Sequence, residues 1–236
     1  MEYSLSVITP VFNGDYMVED FLKQISDLGQ EKNVLEVVVV NDGSRHWDVN
    51  ENGLKVLFAD RFVVRFFHHK KNRGKGAAVR SGIEVSKGTH FLMLDVDRST
   101  STDSVGSLVH TSQEHPEDFV CGSRYMKGGV VKKAQKKWRQ KAGFLGSQLV
   151  RVLFKISFHD TQCGAKIFPA ELGVIIVNQG VSDRWIADVE WILLAKRSGI
   201  TLNSVPIVWS DSSVSQVRPW HFLVTAWDVL MVRLRF

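Results

Sequence analysis

Two carboxylates one residue apart, Asp95-Val96-Asp97, close the apolar run His90-Phe91-Leu92-Met93-Leu94. Side chains at i and i+2 of an extended segment point the same way, so both can converge on one divalent cation. Mg²⁺ or Mn²⁺ takes few carboxylates and completes its shell with phosphate and water oxygens. The pair therefore predicts a site that holds a diphosphate through a metal. The plain alternative is a solvated turn after a strand.

The elements that position this pair follow from hydrophobic period. Leu5–Thr9 reads as a buried strand, followed by the turn Pro10-Val11-Phe12-Asn13-Gly14. Asp15 is placed to cap a helix with Val18, Phe21, Leu22 and Ile25 on one face. Leu35–Val40 is a β-branched run ending in Asn41-Asp42-Gly43-Ser44, continuous enough for a strand covered on both faces. Phe62–His68 predicts a third strand, Ala77–Ser86 a helix, and His90–Leu94 a fourth strand. This alternation argues for an α/β fold, a mostly parallel sheet flanked by helices in a single domain. Ligands of open parallel sheets bind outside the carboxyl ends of the strands. Three such ends here carry suitable chemistry, at Thr9–Asn13, Asn41–Ser44 and Asp95–Asp97.

The second half is less regular. Phe119–Tyr125 reads as a strand ending at the basic Arg124, Lys127–Lys141 is a basic stretch, and Phe144–Phe154 reads as an amphipathic helix. The loop from Asp160 through Gly164 feeds a short strand at Ile167-Phe168, and Trp185–Trp191 opens a helix with carboxylates at Asp188 and Glu190.

With 236 residues and 44% hydrophobic composition the chain can bury one substantial core. No run approaches the ~18–20 apolar residues of a membrane span. Met1 leads almost directly into the first strand, so no signal peptide is expected and the chain reads as cytoplasmic. Cys121 and Cys163 are too few for a disulfide framework or a structural zinc site, and read as reduced thiols. The formal charge of +5 fits an anionic partner, a nucleotide or a phospholipid surface. Nucleic acid is not expected, because no zinc-finger, helix-turn-helix or RNA-binding-sheet signature is present. The segment Gly74-Lys75-Gly76 is no Walker loop, which requires Lys-Ser/Thr after the last glycine. His68-His69 reads as a strand terminus, and the eight histidines show no zinc-protease spacing.

Taken in order, Pro10-Val11-Phe12-Asn13, Asn41-Asp42-Gly43-Ser44, Asn72-Arg73-Gly74-Lys75-Gly76, Asp95-Val96-Asp97, Gly122-Ser123-Arg124, Asp160-Thr161-Gln162-Cys163-Gly164 and Pro206-Ile207-Val208-Trp209 resemble family 2 glycosyltransferases. The resemblance covers nearly the whole chain. Asp-Thr-Gln-Cys-Gly is similar to the dolichyl-phosphate mannose and glucose synthase branch, which makes polyprenyl-phosphate sugars. The tail Trp227–Phe236 resembles that of dolichyl-phosphate β-glucosyltransferases, so glucose is favoured as the donated sugar.

What this resemblance implies is the GT-A nucleotide-diphospho-sugar transferase fold and inverting displacement by a lipid phosphate. The donor implied is UDP-glucose, with GDP-mannose or UDP-N-acetylhexosamine as alternatives, and the acceptor is a polyprenyl or dolichyl phosphate. By motif position, Pro10, Phe12 and Asp42 would line the nucleoside pocket, with Lys75, Val96 and Ser99 also on the donor. Asp95 and Asp97 would hold Mg²⁺ or Mn²⁺. Arg124 and Arg139 would clamp the acceptor phosphate, while Asp160 would position the acceptor, bind the sugar or fix its own loop. Asp188 and Glu190 match an acidic pair on a family helix near the active site. Two departures stand out: Gly14 follows Asn13 where an acid is usual, and Arg98 follows the aspartate pair where a small residue is usual.

The domain reading is a catalytic unit over 1–210 and an amphipathic, membrane-associated segment over 211–236. Leu223, Trp227, Leu230, Met231 and Leu234 recur at helical spacing beside Arg233 and Arg235. Such a helix would lie in the interface of a membrane's cytoplasmic face, or pack on the domain. A membrane-protein subunit or a second copy of the chain is a further partner class. Another lipid or glycan acceptor, and a non-catalytic nucleotide-sugar-binding subunit, complete the alternatives.

Overall fold

The computed structural model describes residues 2–133, 146, 148, 150–156, 160–211 and 221–236. Arg139, most of the basic stretch, and much of the helix expected over 144–154 lie outside them; Val150–Phe154 is helical as expected.

A seven-stranded sheet forms the centre, in the order β3-β2-β1-β4-β7-β5-β8. Its strands are β1 (Leu5–Val11), β2 (Val34–Asn41), β3 (Val63–His68), β4 (His90–Leu94), β5 (Phe119–Ser123), β7 (Ala165–Pro169) and β8 (Leu202–Pro206). All neighbours are parallel except β7, which runs antiparallel to both β4 and β5. Two short strands, β6 (Val130–Lys133) and β9 (Val208–Ser210), pair separately. The helices are α1 (Val18–Ser26), α2 (Glu51–Leu57), α3 (Lys75–Val85), α4 (Thr102–Glu114), α5 (Ala170–Gln179), α6 (Ala187–Arg197) and α7 (His221–Arg235).

The continuous apolar runs of β2 and β4 are explained by core on both faces. Val38, Val40, Ile8 and Met93 pack with α3, α5 and α6, while Val37, Val39, Val7 and Leu92 pack with α1 and α4. Adjacent residues thus serve opposite faces, as the period of two requires. Pro10 is tolerated in a central strand because pairing with β4 ends at Ile8↔Met93, below it.

Two sequence expectations need correction. Asp15 caps no helix: Asp15–Met17 is a 3₁₀ turn preceded by Gly14, and α1 starts at Val18 without a side-chain cap. The short helix α2 was not expected; Asn50 caps it by accepting from the Gly53 N–H at 3.0 Å.

Cys121 on β5 and Cys163 before β7 are both buried and free. Burial pushes both thiols up, Cys163 to about 11, with the nearby Asp160 charge adding to the effect at Cys163. At pH 8 a thiol of that pKa is about 0.1% thiolate, and only the thiolate is nucleophilic. The native chain is therefore expected to resist Ellman's reagent at pH 8, and to react only when unfolded in guanidinium. Fast stoichiometric labelling of the native chain would contradict the packing of the 160–164 loop.

Candidate active site

The carboxyl ends of β1, β2 and β4 lie side by side because β1 pairs in parallel with both others. Their loops are stitched together: the Asn13 N–H donates to Ser44 Oγ at 2.9 Å, and the Arg45 N–H to Asn13 Oδ1 at 3.0 Å. Pro10 and Phe12 are half-buried at this edge. Strand β7 runs the other way, so the loop that precedes it, not the one that follows, reaches the same edge. Leu94 is paired with Ala165, and the Asp95 N–H donates to the Gly164 carbonyl at 3.0 Å.

That contact fixes Asp95. A Cβ at Gly164 would fall 1.9 Å from Asp95 Oδ2, so only glycine leaves room for the carboxylate. Asp95 Oδ1 meets the Lys75 ammonium at 3.0 Å, and Lys75 also lies 3.5 Å from Asp188 Oδ2. Asp188 Oδ1 in turn accepts from Lys166 Nζ at 2.9 Å. Lys75 is thus the first residue of α3, not a loop residue, and it faces inward. Gly74 before it has φ +99° and packs against the Asp183 carbonyl, a position that favours glycine twice over.

Charges set the protonation of this group. Burial raises the Asp95 pKa and Asp97 adds to the rise, while Lys75 opposes it; the net direction is upward. Burial alone would lower Lys75, but Asp188 and Asp95 outweigh it and the net shift is upward. Asp97 Oδ1 accepts from the Ser99 N–H at 3.0 Å, whereas Val96 is buried in the core. Arg98 does not enter the site. It has φ +56°, a left-handed conformation unusual for a residue with a side chain, and pairs with Asp20 at 3.3 Å on the surface.

Arg124 and Asp160 form one unit. Arg124 Nε and Nη2 donate to the two Asp160 oxygens at 2.7 and 2.8 Å, and its backbone N–H adds a third bond at 3.0 Å. The guanidinium lies 5.2 Å from the ring centres of Tyr125 and of Trp209. Burial lowers the Arg124 pKa, and the Asp160 bonds and charge more than reverse this. The sequence assigns no role to Tyr125 or Trp209, although Trp209 lies in the Pro206-Ile207-Val208-Trp209 motif.

Other candidates are placed differently. The Asp42 carboxylate is buried and accepts from the Arg73 and Gly74 N–H groups and Asn72 Nδ2, each at 2.8 Å, with His69 Nδ1 at 2.7 Å. Here it fixes the 72–74 loop that presents Lys75. His69 Nε2 reaches Ser81 Oγ at 3.0 Å, which completes a Ser-His-Asp line, and all three residues are buried. Glu190 is separated from Asp188: it accepts from the Val181 and Ser182 N–H groups and from Arg235 Nη1. The two acids lie i and i+2 on a helix and so face different sides.

Among the described residues no third His, Cys, Asp or Glu completes a metal cluster around the aspartate pair. Two carboxylates without a protein cage fit a hard ion that takes its remaining oxygens from a diphosphate.

A strand-edge carboxylate pair on a mixed sheet of this order is the frame of a GT-A glycosyltransferase, and the comparisons agree. A family model described as Glycosyl transferase family 2 matches residues 6–171, and the chain belongs to that family. It is a glycosyltransferase. Dolichyl-phosphate beta-glucosyltransferase from Homo sapiens is 30% identical over 253 residues, covering 98% of this chain and 75% of the relative. The Dictyostelium discoideum enzyme of the same name is 28% identical over 243 residues, covering 98% and 74%. Among solved structures, glucosyl-3-phosphoglycerate synthase from Mycobacterium tuberculosis shares the fold with a TM-score of 0.72, at 14% identity, over 99% of this chain and 79% of that one. That structure is a complex with Mn²⁺, UDP-glucose and phosphoglyceric acid.

Gly164→Ala is expected to force the Asp95 carboxylate from its seat, at a cost of about 1–3 kcal/mol of stability. Urea denaturation measures this. An unchanged midpoint would mean that Asp95 can swing away freely.

Proposed function

We propose that this chain transfers glucose from UDP-glucose to a polyprenyl phosphate such as dolichyl phosphate, with inversion and with a divalent cation. The observation that carries the reading is the half-buried Asp95–Asp97 pair held beside Lys75 at the sheet's carboxyl edge, with the Arg124–Asp160 unit at the end of β5, across β7 on the same edge. The sugar and acceptor class rest on the two dolichyl-phosphate beta-glucosyltransferases.

Each residue then has a task. Asp95 and Asp97 would hold Mg²⁺ or Mn²⁺, whose charge offsets that developing on the leaving diphosphate. Pro10 and Phe12 would border the nucleoside, and Asp42 would act by holding the 72–74 loop. Arg124 would attract the acceptor phosphate, its fork preset by Asp160 and its plane by Tyr125 and Trp209. A phosphate monoester is already anionic near neutral pH, so Asp160 acts as a positioning residue and no strong base is required.

The C-terminal helix supports a lipid acceptor. Val229 and Val232 of α7 are buried in the core, and Asp228–Arg184 and Arg235–Glu190 pairs hold the helix to the domain. Its other face leaves Trp227 61%, Leu230 48%, Met231 50% and Leu234 75% exposed. These positions follow i, i+3, i+4, i+7, a single apolar stripe beside the exposed Arg233. The helix is therefore both packed on the domain and free to present an apolar face to a membrane surface. No described helix is long and apolar enough to cross a membrane.

A panel of radiolabelled UDP- and GDP-sugars with a short polyprenyl phosphate, with and without Mn²⁺, tests the reaction. Transfer from UDP-glucose is expected, and Asp97→Asn should lower it at least about 100-fold without changing the melting temperature. Preference for GDP-mannose would overturn the sugar, and undiminished turnover by Asp97→Asn would overturn the metal pair. Separately, Trp227→Glu with Leu234→Glu should reduce co-sedimentation with phosphatidylserine-containing liposomes about tenfold or more. Equal sedimentation would exclude α7 as the membrane face.

A further inference from the structure

Lys75 poses a charge conflict at the aspartate pair. Its ammonium stands 3.0 Å from Asp95 Oδ1, so a divalent ion taken up by the same carboxylate would meet a like charge at close range. One of the groups has to give way. Asp95 is pinned, because Gly164 backs Oδ2 and the Asp95 N–H is bonded to the Gly164 carbonyl. Lys75 is not: its charge rides on a flexible four-carbon stem, and a second carboxylate oxygen, Asp188 Oδ2, lies 3.5 Å away. Asp188 itself is buried and held through its other oxygen by Lys166, at 2.9 Å.

The net charge of the cluster fits an exchange. Asp95, Asp97 and Asp188 against Lys75 and Lys166 leave one negative charge, too little to hold a divalent ion strongly while Lys75 remains on Asp95. We propose that Lys75 is the resident counter-cation of the metal pair: it holds Asp95 when no divalent ion is present and transfers to Asp188 when one is taken up. Asp188 thereby governs the strength of metal binding without touching the metal. Lys75 and Asp188 are positioning residues in this scheme. The inference rests on the reading of Asp95 and Asp97 as metal ligands.

Mn²⁺ alone, without nucleotide, is the probe, its free fraction read by electron paramagnetic resonance on the full chain. Lys75→Met is expected to bind Mn²⁺ roughly tenfold more tightly than the unaltered chain, since a competing charge is gone. Asp188→Asn is expected to act in the opposite direction, because Lys75 then has Asp95 alone. A purely structural role for these residues would weaken binding in both variants. Lys75→Gln serves where Lys75→Met does not fold, with circular dichroism melts recorded for each. Unchanged or weaker Mn²⁺ binding in the folded Lys75 variants overturns the exchange. Asp97→Ala separates the two readings: if it binds Mn²⁺ as well as the unaltered chain, the metal pair itself is wrong, whereas its loss of binding beside an unresponsive Lys75 variant refutes only the exchange.

Discussion

Opposite charges alternate through the centre of this protein, from Asp95 to Lys75 to Asp188 to Lys166. Each link keeps the next one affordable to bury. Lys166 has 0% side-chain exposure, and an ammonium there without Asp188 would carry an uncompensated desolvation cost of several kcal/mol. Asp188 in turn makes Lys75 tolerable at the start of α3, and Lys75 steadies Asp95 against its like-charged neighbour Asp97. The four groups come from α3, the end of β4, β7 and α6, so the line ties the sheet to two helices on one face.

The antiparallel strand makes that line reachable. In a wholly parallel sheet, each strand would offer only the loop after its carboxyl end to the ligand edge. Inserting β7 backwards between β4 and β5 brings the loop before it to that edge instead. Asp160 then meets Arg124 at the end of β5, Gly164 backs Asp95 at the end of β4, and Lys166 points back at Asp188. One reversed strand thus connects the aspartate pair and the arginine, which belong to different strands and to different halves of the proposed reaction.

Local chemistry was legible in the sequence and long-range pairing was not. The i, i+2 spacing after a five-residue apolar run singled out Asp95 and Asp97. However, β4 ends at Leu94 and the pair lies in the turn that follows, where Lys75 and Gly164 set Asp95 and the Ser99 N–H holds Asp97. The runs Val37–Val40 and Phe91–Leu94 were equally readable, since burial on both faces leaves no polar interruption there, whereas β3 lies at the sheet edge and carries Arg65 within its run. The fold and family followed from the order of motifs and hold in the structure and the comparisons. Asp188 opposite Lys75 could not be read, because their meeting depends on how α6 docks against α3. Asp42 shows the same limit: its place before Gly43 announces a turn, but the Asn72, Arg73, Gly74 and His69 donors that saturate it come from a distant segment. Helix α2 was missed because seven residues with an exposed Val56 and Leu57 carry almost no period.

The Arg124–Asp160 unit and the aspartate loop are also joined mechanically. Strand β9 lies against the residues that follow Asp97: the Ser101 N–H donates to the Val208 carbonyl at 3.1 Å, and the Ser210 N–H to the Ser99 carbonyl at 2.9 Å. Trp209 sits between those two bonds, bridges to Thr100 and stacks on Arg124. The Ser99 N–H meanwhile holds Asp97. Asp97 is thus connected through Ser99 and Trp209 to the guanidinium plane, over a path made of backbone bonds and one rigid ring.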